Sequence, residues 1–130
     1  MSAPFIFVAS YKVRRDQFED YKPWVKELCR FVESKEPRMI AFNIYANADG
    51  TEVTAIQVHP EAGSMETHMQ VVSDYIQQAY GDFLERPTFI LACGEGESAR
   101  AMIKQLTPND FPLVAMPQHL GGFTRSSAAD

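Results

Sequence analysis

His68 is the residue of this chain best placed to move a proton. It stands three residues after Met65 and four before Val72, at the border of an apolar helical stripe. An imidazole there, with an ordinary pKa of about 6.5, suits a general base near neutral pH. The other role open to it is closing the rim of the core through a backbone carbonyl. Asn43, Tyr45, Gln57 and His59 come from two neighbouring strand-like runs and share one sheet face in the register argued below. A few polar groups on an apolar wall are what a small-molecule pocket requires. Their competing role, strongest for Gln57 and His59, is a hydrogen-bond network between subunits or plain exposure at a sheet edge. Tyr11 reaches the same cavity from the first strand, as donor or as wall. His119, in Pro117-Gln118-His119-Leu120-Gly121-Gly122, reads as a surface loop, or else as a flap over a cavity. Trp24, the only tryptophan, reads as core packing.

Metal chemistry finds no pattern here. His59 and His68 are expected neighbours, but their spacing is no ligand signature. Cys29 and Cys93 belong to no Cys-x-x-Cys pair and lie in apolar segments, so both read as buried free thiols of a reducing compartment. Gly94-Glu95-Gly96 only imitates a phosphate loop, because its glutamates repel an anion and no Lys-Ser/Thr follows.

The elements that position these residues follow from periodicity. Phe5 to Tyr11 is short, aromatic and β-branched, a first strand. Asp16, with Glu19 three residues on, resembles an N-cap and its capping box. A helical stripe then runs through Phe18, Tyr21, Val25, Leu28 and Val32. Pro23 predicts a kink or a short lead-in helix, and Glu36-Pro37 ends the run. Met39–Ala46 and Thr51–His59 are two strands of a hairpin. A three-residue loop, Ala48-Asp49-Gly50 with Gly50 left-handed, sets Ile44 opposite Thr54, Phe42 opposite Ile56 and Ile40 opposite Val58, one apolar face. A two-residue loop would bring Asn43 beside Ile56, so the three-residue register is preferred. Ser64 caps a second helix with stripe Met65, Met69, Val72, Ile76, Ala79 and Phe83. Arg86-Pro87 separates it from a fourth strand, Thr88–Cys93. A short helix around Ala99–Leu106 and an extended arm or strand at Phe111–Met116 complete the chain, with a polar tail after Thr124.

Strand, helix, strand, strand, helix, strand is the α+β, ferredoxin-like βαββαβ order, with a four-stranded antiparallel sheet and both helices on one face. The 130 residues form one domain, core about 4–94 and C-terminal appendix 95–130. The sheet's other face would carry Met39, Ala41, Asn43, Tyr45, Val53, Ala55, Gln57 and His59, with apolar residues of the first strand. Such a surface is too apolar for a monomer, so a homodimer is expected, unless the appendix folds back over it. A net charge of -5 excludes a nucleic-acid partner. No apolar run spans a bilayer, and the start lacks a basic leader, so a cytoplasmic protein without a membrane partner is expected.

So arranged, the chain resembles the antibiotic biosynthesis monooxygenase-like branch of the dimeric α/β-barrel superfamily. The residues that carry the likeness are the Asp49-Gly50 hairpin, strand Glu52–Val58, the junction His59-Pro60-Glu61-Ala62-Gly63 and helix Ser64-Met65-Glu66-Thr67-His68-Met69. A histidine early in that helix recurs in many such proteins. The likeness covers roughly the first three quarters of the chain and rests on arrangement more than on an invariant motif. It implies a homodimer with its sheets face to face and a pocket in each subunit between sheet and helices. Some members oxygenate aromatic polyketides without metal or flavin; others degrade haem, isomerise small metabolites or have no known activity, so fold does not fix reaction.

The resulting expectation is a cofactor-independent monooxygenase for a small aromatic or enolisable molecule. His68 removes a proton, Tyr45 or Asn43 holds the oxyanion, and Tyr11, Gln57, His59 and His119 bind the substrate. The anion then meets dioxygen. With no cofactor motif, the substrate supplies the electrons. The resemblance implies that haem degradation needs an asparagine in the first strand and a tryptophan near the second helix; here the first strand has no asparagine and the second helix no tryptophan, so that activity fits poorly. The alternatives are an isomerase and a non-catalytic dimeric binding protein.

Overall fold

Alternation along the first strand, β1 (Phe5–Val13), buries Phe5, Phe7, Ala9 and Val13 and turns Ile6, Val8 and Ser10 to the other face. The computed structural model describes residues 3–107 and 112–125. Helix α1 (Phe18–Lys35) follows, then β2 (Ala41–Ala46) and β3 (Glu52–His59). The second helical region is broken into α2 (Ala62–Val71), α3 (Ser73–Gln78) and a π-helical turn, Ala79–Phe83. Next come β4 (Leu84–Cys93), α4 (Glu97–Leu106) and β5 (Leu113–Met116). The sheet order is β2-β3-β1-β4-β5, antiparallel except that β5 runs parallel to β4. This is the expected α+β ferredoxin-like order, extended by a fifth strand from the appendix. The helices cover one face. Phe5, Phe7, Ile90 and Ala92 pack under α2 and α4, while Tyr21, Leu28 and Val32 of α1 pack near Val53, Val72 and Phe83.

The hairpin departs from expectation in register. Ile44 pairs with Ala55, Phe42 with Gln57 and Asn43 with Ile56. Gly50 is left-handed (φ 72°), as predicted, but Thr51 joins the loop, closed by Asn47 N–H to Glu52 O at 2.9 Å. The Asn47 side chain accepts from the backbone N–H of Thr51 and Glu52, both at 3.0 Å, and so favours the longer turn. Phe42 and Ile44 keep the helix side, but their β3 companions there are Ala55 and Gln57, with Val53 and His59. The β-branched set Thr54, Ile56 and Val58 is on the outer face.

Several boundaries also move. Asp16 has φ 64° and does not cap α1; Gln17 does, without a side-chain bond, and the helix continues through Pro23. Glu61, not Ser64, caps α2, accepting from Ser64 N at 3.1 Å. Strand β4 begins at Leu84 and passes through Arg86-Pro87. There the ladder to β1 slips beside Tyr11, because proline has no N–H to give. Cys29 and Cys93 are free but only half-buried. Phe111 lies outside the described residues.

Candidate active site

Glu36 is the C-cap of α1, four residues beyond Val32, and so continues the helix's buried stripe. His68 enters the same layer from α2. Both are buried, at 6% and 4% exposure, and His68 Nδ1 lies 2.7 Å from Glu36 Oε2. A carboxylate only accepts, so Nδ1 carries a hydrogen, and it is the neutral imidazole in this tautomer that has its lone pair on Nε2. Glu36 Oε1 has no hydrogen-bond partner among the described residues. His68 therefore carries the compensation of this buried carboxylate.

A second imidazole stands beside the first. His59, fully buried, has its ring centroid 5.9 Å from that of His68. Its Nε2 is 2.9 Å from Gln57 Oε1 and its Nδ1 2.7 Å from Ser64 Oγ. The amide oxygen accepts, so Nε2 donates and Nδ1 receives the Ser64 hydroxyl. Burial, reinforced by His68 and opposed by Glu61, pushes the His59 pKa down to about 4. It is a neutral strut. Gln57, with its oxygen engaged, has its NH2 left to offer as a donor.

His68 and Gln57 line a cavity of about 400 Å³ between sheet and helices. Its floor is Phe7, Tyr11, Phe42, Ile44 and Ala55, and its walls include Tyr21, Trp24 and Leu28 of α1. The broken second helix closes the far side through Met69, Val72, Tyr75, Ile76 and Tyr80. Trp24 stacks on Tyr21 (5.6 Å, 26°), and its indole N–H reaches Gln78 Oε1 at 3.0 Å, tying α1 to α3. Burial, with Tyr80 alongside, raises the Tyr11 phenol well above its usual pKa, and burial also raises Tyr80. Both stay protonated, and their hydroxyls interact with each other.

No protein-family model matches the chain, and no curated protein matches it. Solved structures do. MupZ from Pseudomonas fluorescens superposes with a TM-score of 0.75 at 16% identity, over 96% of this chain and 91% of its own. A structure named antibiotic biosynthesis monooxygenase gives 0.58 at 12%, over 68% and 94%. Rv0793 from Mycobacterium tuberculosis gives 0.58 at 18%, over 69% and 92%. The chain has the antibiotic biosynthesis monooxygenase-like fold. At these identities the likeness is one of architecture, and the MupZ match extends it through the appendix.

Within this monooxygenase-like fold the predicted residues divide by face. His68, Gln57 and Tyr11 meet at the cavity, and His59 braces Gln57 from behind. Asn43 and Tyr45 alternate with Phe42 and Ile44 and stand on the outer face, where Tyr45 is 63% exposed. The structure separates them from His68 within one subunit. His119 lies in another groove, of about 680 Å³, with Ile6, Val58 and Cys93 of the outer face, and its backbone N–H donates to Glu95 at 2.6 Å. Trp24, read as core, lines the cavity. Glu36 and Tyr80 were not singled out. Glu36 had a signal, the step of four from Val32. Tyr80 had none, because the wider π turn breaks the phase of the stripe.

Proposed function

We propose that the protein deprotonates a small apolar molecule, aromatic or enolisable, in this cavity and lets the resulting anion react with dioxygen. The buried Glu36–His68 pair on the wall of an aromatic cavity carries the reading. Nε2 of His68 takes the proton; Glu36 holds the productive tautomer and offsets the charge of the imidazolium that forms. The Gln57 NH2 supports the developing oxyanion. For an activated methylene, one oxygen atom of O2 enters the product as a carbonyl and the other leaves as water. The substrate carbon supplies the electrons, and the balance needs no further reductant. Asn43 and Tyr45 have no part in this scheme. The shared fold with a structure named antibiotic biosynthesis monooxygenase supports an oxygenation in general and leaves substrate and mechanism to experiment.

Oxygen uptake with anthrone, a methylene activated by a carbonyl, tests the proposal once the uncatalysed rate is subtracted. Wild-type protein accelerates uptake, and His68→Ala lowers kcat at least about a hundredfold, as loss of a general base does. Equal rates in the two proteins remove His68 from the chemistry. No acceleration of anthrone or of a panel of phenols and hydroquinones favours the non-catalytic binding protein instead.

A further inference from the structure

The cavity has two polar ends, and only one of them is used by the chemistry above. His68 lies with its ring centroid 5.4 Å from that of Phe42, and Phe42 pairs across the ladder with Gln57, which pairs in turn with Phe7. These residues mark one end. Tyr11 is four residues further along β1, a distance of about 13 Å at the rise of a strand. There its ring meets Tyr80 edge-on, at 6.1 Å between centroids. Between the ends the cavity floor is Ala55, paired with the fully buried Ala9, so the middle of the floor carries only small side chains. Tyr21 and Trp24, stacked on each other, supply a broad aromatic wall. The lining holds no lysine, arginine, aspartate or glutamate among the described residues.

Resting on the reading of this cavity as the substrate site, we propose that its substrate is a neutral, flat, elongated molecule. It carries its acidic hydrogen at one end, toward His68 and Gln57, and a carbonyl-type acceptor at the other, received by Tyr11 and Tyr80. Three features favour this class. The alanine floor between aromatic walls fits fused rings. Two desolvated phenols that resist ionisation and hydrogen-bond to each other leave one hydroxyl hydrogen between them, which needs an acceptor. A permanent anion would lose its water and meet no cation. The Pro87 slip in the β1–β4 ladder falls at Tyr11, the place where a bulge re-aims a side chain. The Tyr80 side of the pair comes from the π turn, so two irregularities of the backbone converge on one polar point.

Fluorescence titration with four naphthalenes tests both ends. 6-Acetyl-2-naphthol has an acidic O–H and a distal carbonyl; 2-naphthol lacks the carbonyl; 6-acetyl-2-methoxynaphthalene lacks the acidic hydrogen; 6-hydroxy-2-naphthoate replaces the acetyl by an anion. Wild-type protein binds 6-acetyl-2-naphthol about three- to tenfold tighter than 2-naphthol, the worth of one hydrogen bond. The naphthoate binds more weakly than the acetyl compound. Tyr11→Phe and Tyr80→Phe, which keep the rings, each shrink the acetyl advantage and leave the Kd of 2-naphthol within about twofold. His68→Ala instead shrinks the advantage of 6-acetyl-2-naphthol over its methyl ether. An acetyl preference that survives the combined Tyr11→Phe/Tyr80→Phe variant, or a naphthoate that binds best, overturns the proposal. If neither naphthol saturates, or if filling the floor with Ala55→Phe leaves the titrations unchanged, the cavity reading falls with it. A tyrosine-dependent acetyl preference beside anthrone turnover indifferent to His68 sinks only the proposed chemistry.

Discussion

Replacing Glu36 by glutamine keeps the shape of the site but changes which nitrogen of His68 carries hydrogen. The amide can present its NH2 to Nδ1, which then accepts, and Nε2 becomes the N–H and loses its role as base. Anthrone turnover in Glu36→Gln is expected to fall about a hundredfold or more. Its urea midpoint should stay level or rise, because a buried carboxylate with one unpartnered oxygen is gone. A variant that loses stability but keeps kcat would assign the pair to folding instead. His59 predicts a pH effect of definite sign. Its pKa is about 4 in the fold against an ordinary 6.5, so between those values the unfolded chain binds more protons. The stability from keeping it neutral is whole above pH 6.5 and is lost as pH falls toward 4. His59→Gln, weakened by about 1–3 kcal/mol at pH 7 through unpaired Ser64 and Gln57, lacks this titration. Its stability curve should converge on the wild type's with acidification. Parallel curves in urea denaturation from pH 7 to 4 would overturn the assignment. At this scale the burial of His68 was legible from its stripe position, while a part in chemistry was not. The direction of Gln57 and His59 could not, because two polar residues on the helix side of a strand look like surface until their partners are known.

The elements were legible where pattern and packing agree. Apolar alternation in β1, the stripe Tyr21, Leu28, Val32 of α1 and the left-handed Gly50 all find their predicted places. The hairpin register was not, because both faces of this sheet are apolar. Thr54, Ile56 and Val58 look more like core than Val53, Ala55, Gln57 and His59 do, yet the second set faces the helices. Local rules fail where the cavity needs them to, at two alanines that leave space and a glutamine that offers a donor. The break at Val72 and the π turn were hidden too, since no proline or glycine stands at Val72 to announce the break. Gly50 gives the turn its test. Its φ of 72° is strained for any side chain, and an added Cβ would lie 2.5 Å from Cδ2 of Phe18. Gly50→Ala is therefore expected to cost about 1–3 kcal/mol in urea unfolding. Gly81, in the π turn, has nothing within 4 Å of such a Cβ. Gly81→Ala should be neutral or stabilising by up to about 1 kcal/mol. Equal costs at the two positions would mean that Phe18 yields freely and that the loop does not depend on the left-handed residue.

At the scale of the whole molecule, the face turned away from the helices still needs a cover. Register brings Val8 between Ile56 and Leu91, and Ile6 between Val58 and Cys93, so two apolar rows cross the three central strands. Ser10 and Thr54 bond to each other at 2.8 Å in the next row, beside Phe89, which is 40% exposed. Among the described residues, the C-terminal arm borders the row of Ile6, Val58 and Cys93 through Met116, Leu120 and Phe123, and extends the row of Val8, Ile56 and Leu91 sideways through Val114, paired with Leu91. Among the described residues the row through Val8, Ile56 and Leu91 is only partly buried, and Val114 beside it is 38% exposed, a continuous patch of the kind monomers seldom expose. The need for a cover could be inferred from composition; the residues that make it follow only from the observed register. We predict a homodimer packed through this face, with Asn43 and Tyr45 at its margin. Light scattering at micromolar concentration should then give twice the 14.7 kDa of one chain. Ile56→Asp places an unpaired charge in the middle of the patch and should release monomer. Because Ile56 points away from the cavity, the released monomer should bind 6-acetyl-2-naphthol within about threefold of the wild type, a difference of less than 1 kcal/mol. A wild-type chain that stays monomeric at those concentrations would show that the patch is tolerated bare or covered by its own arm. An Ile56→Asp monomer that loses the probe altogether would show that the site depends on the partner.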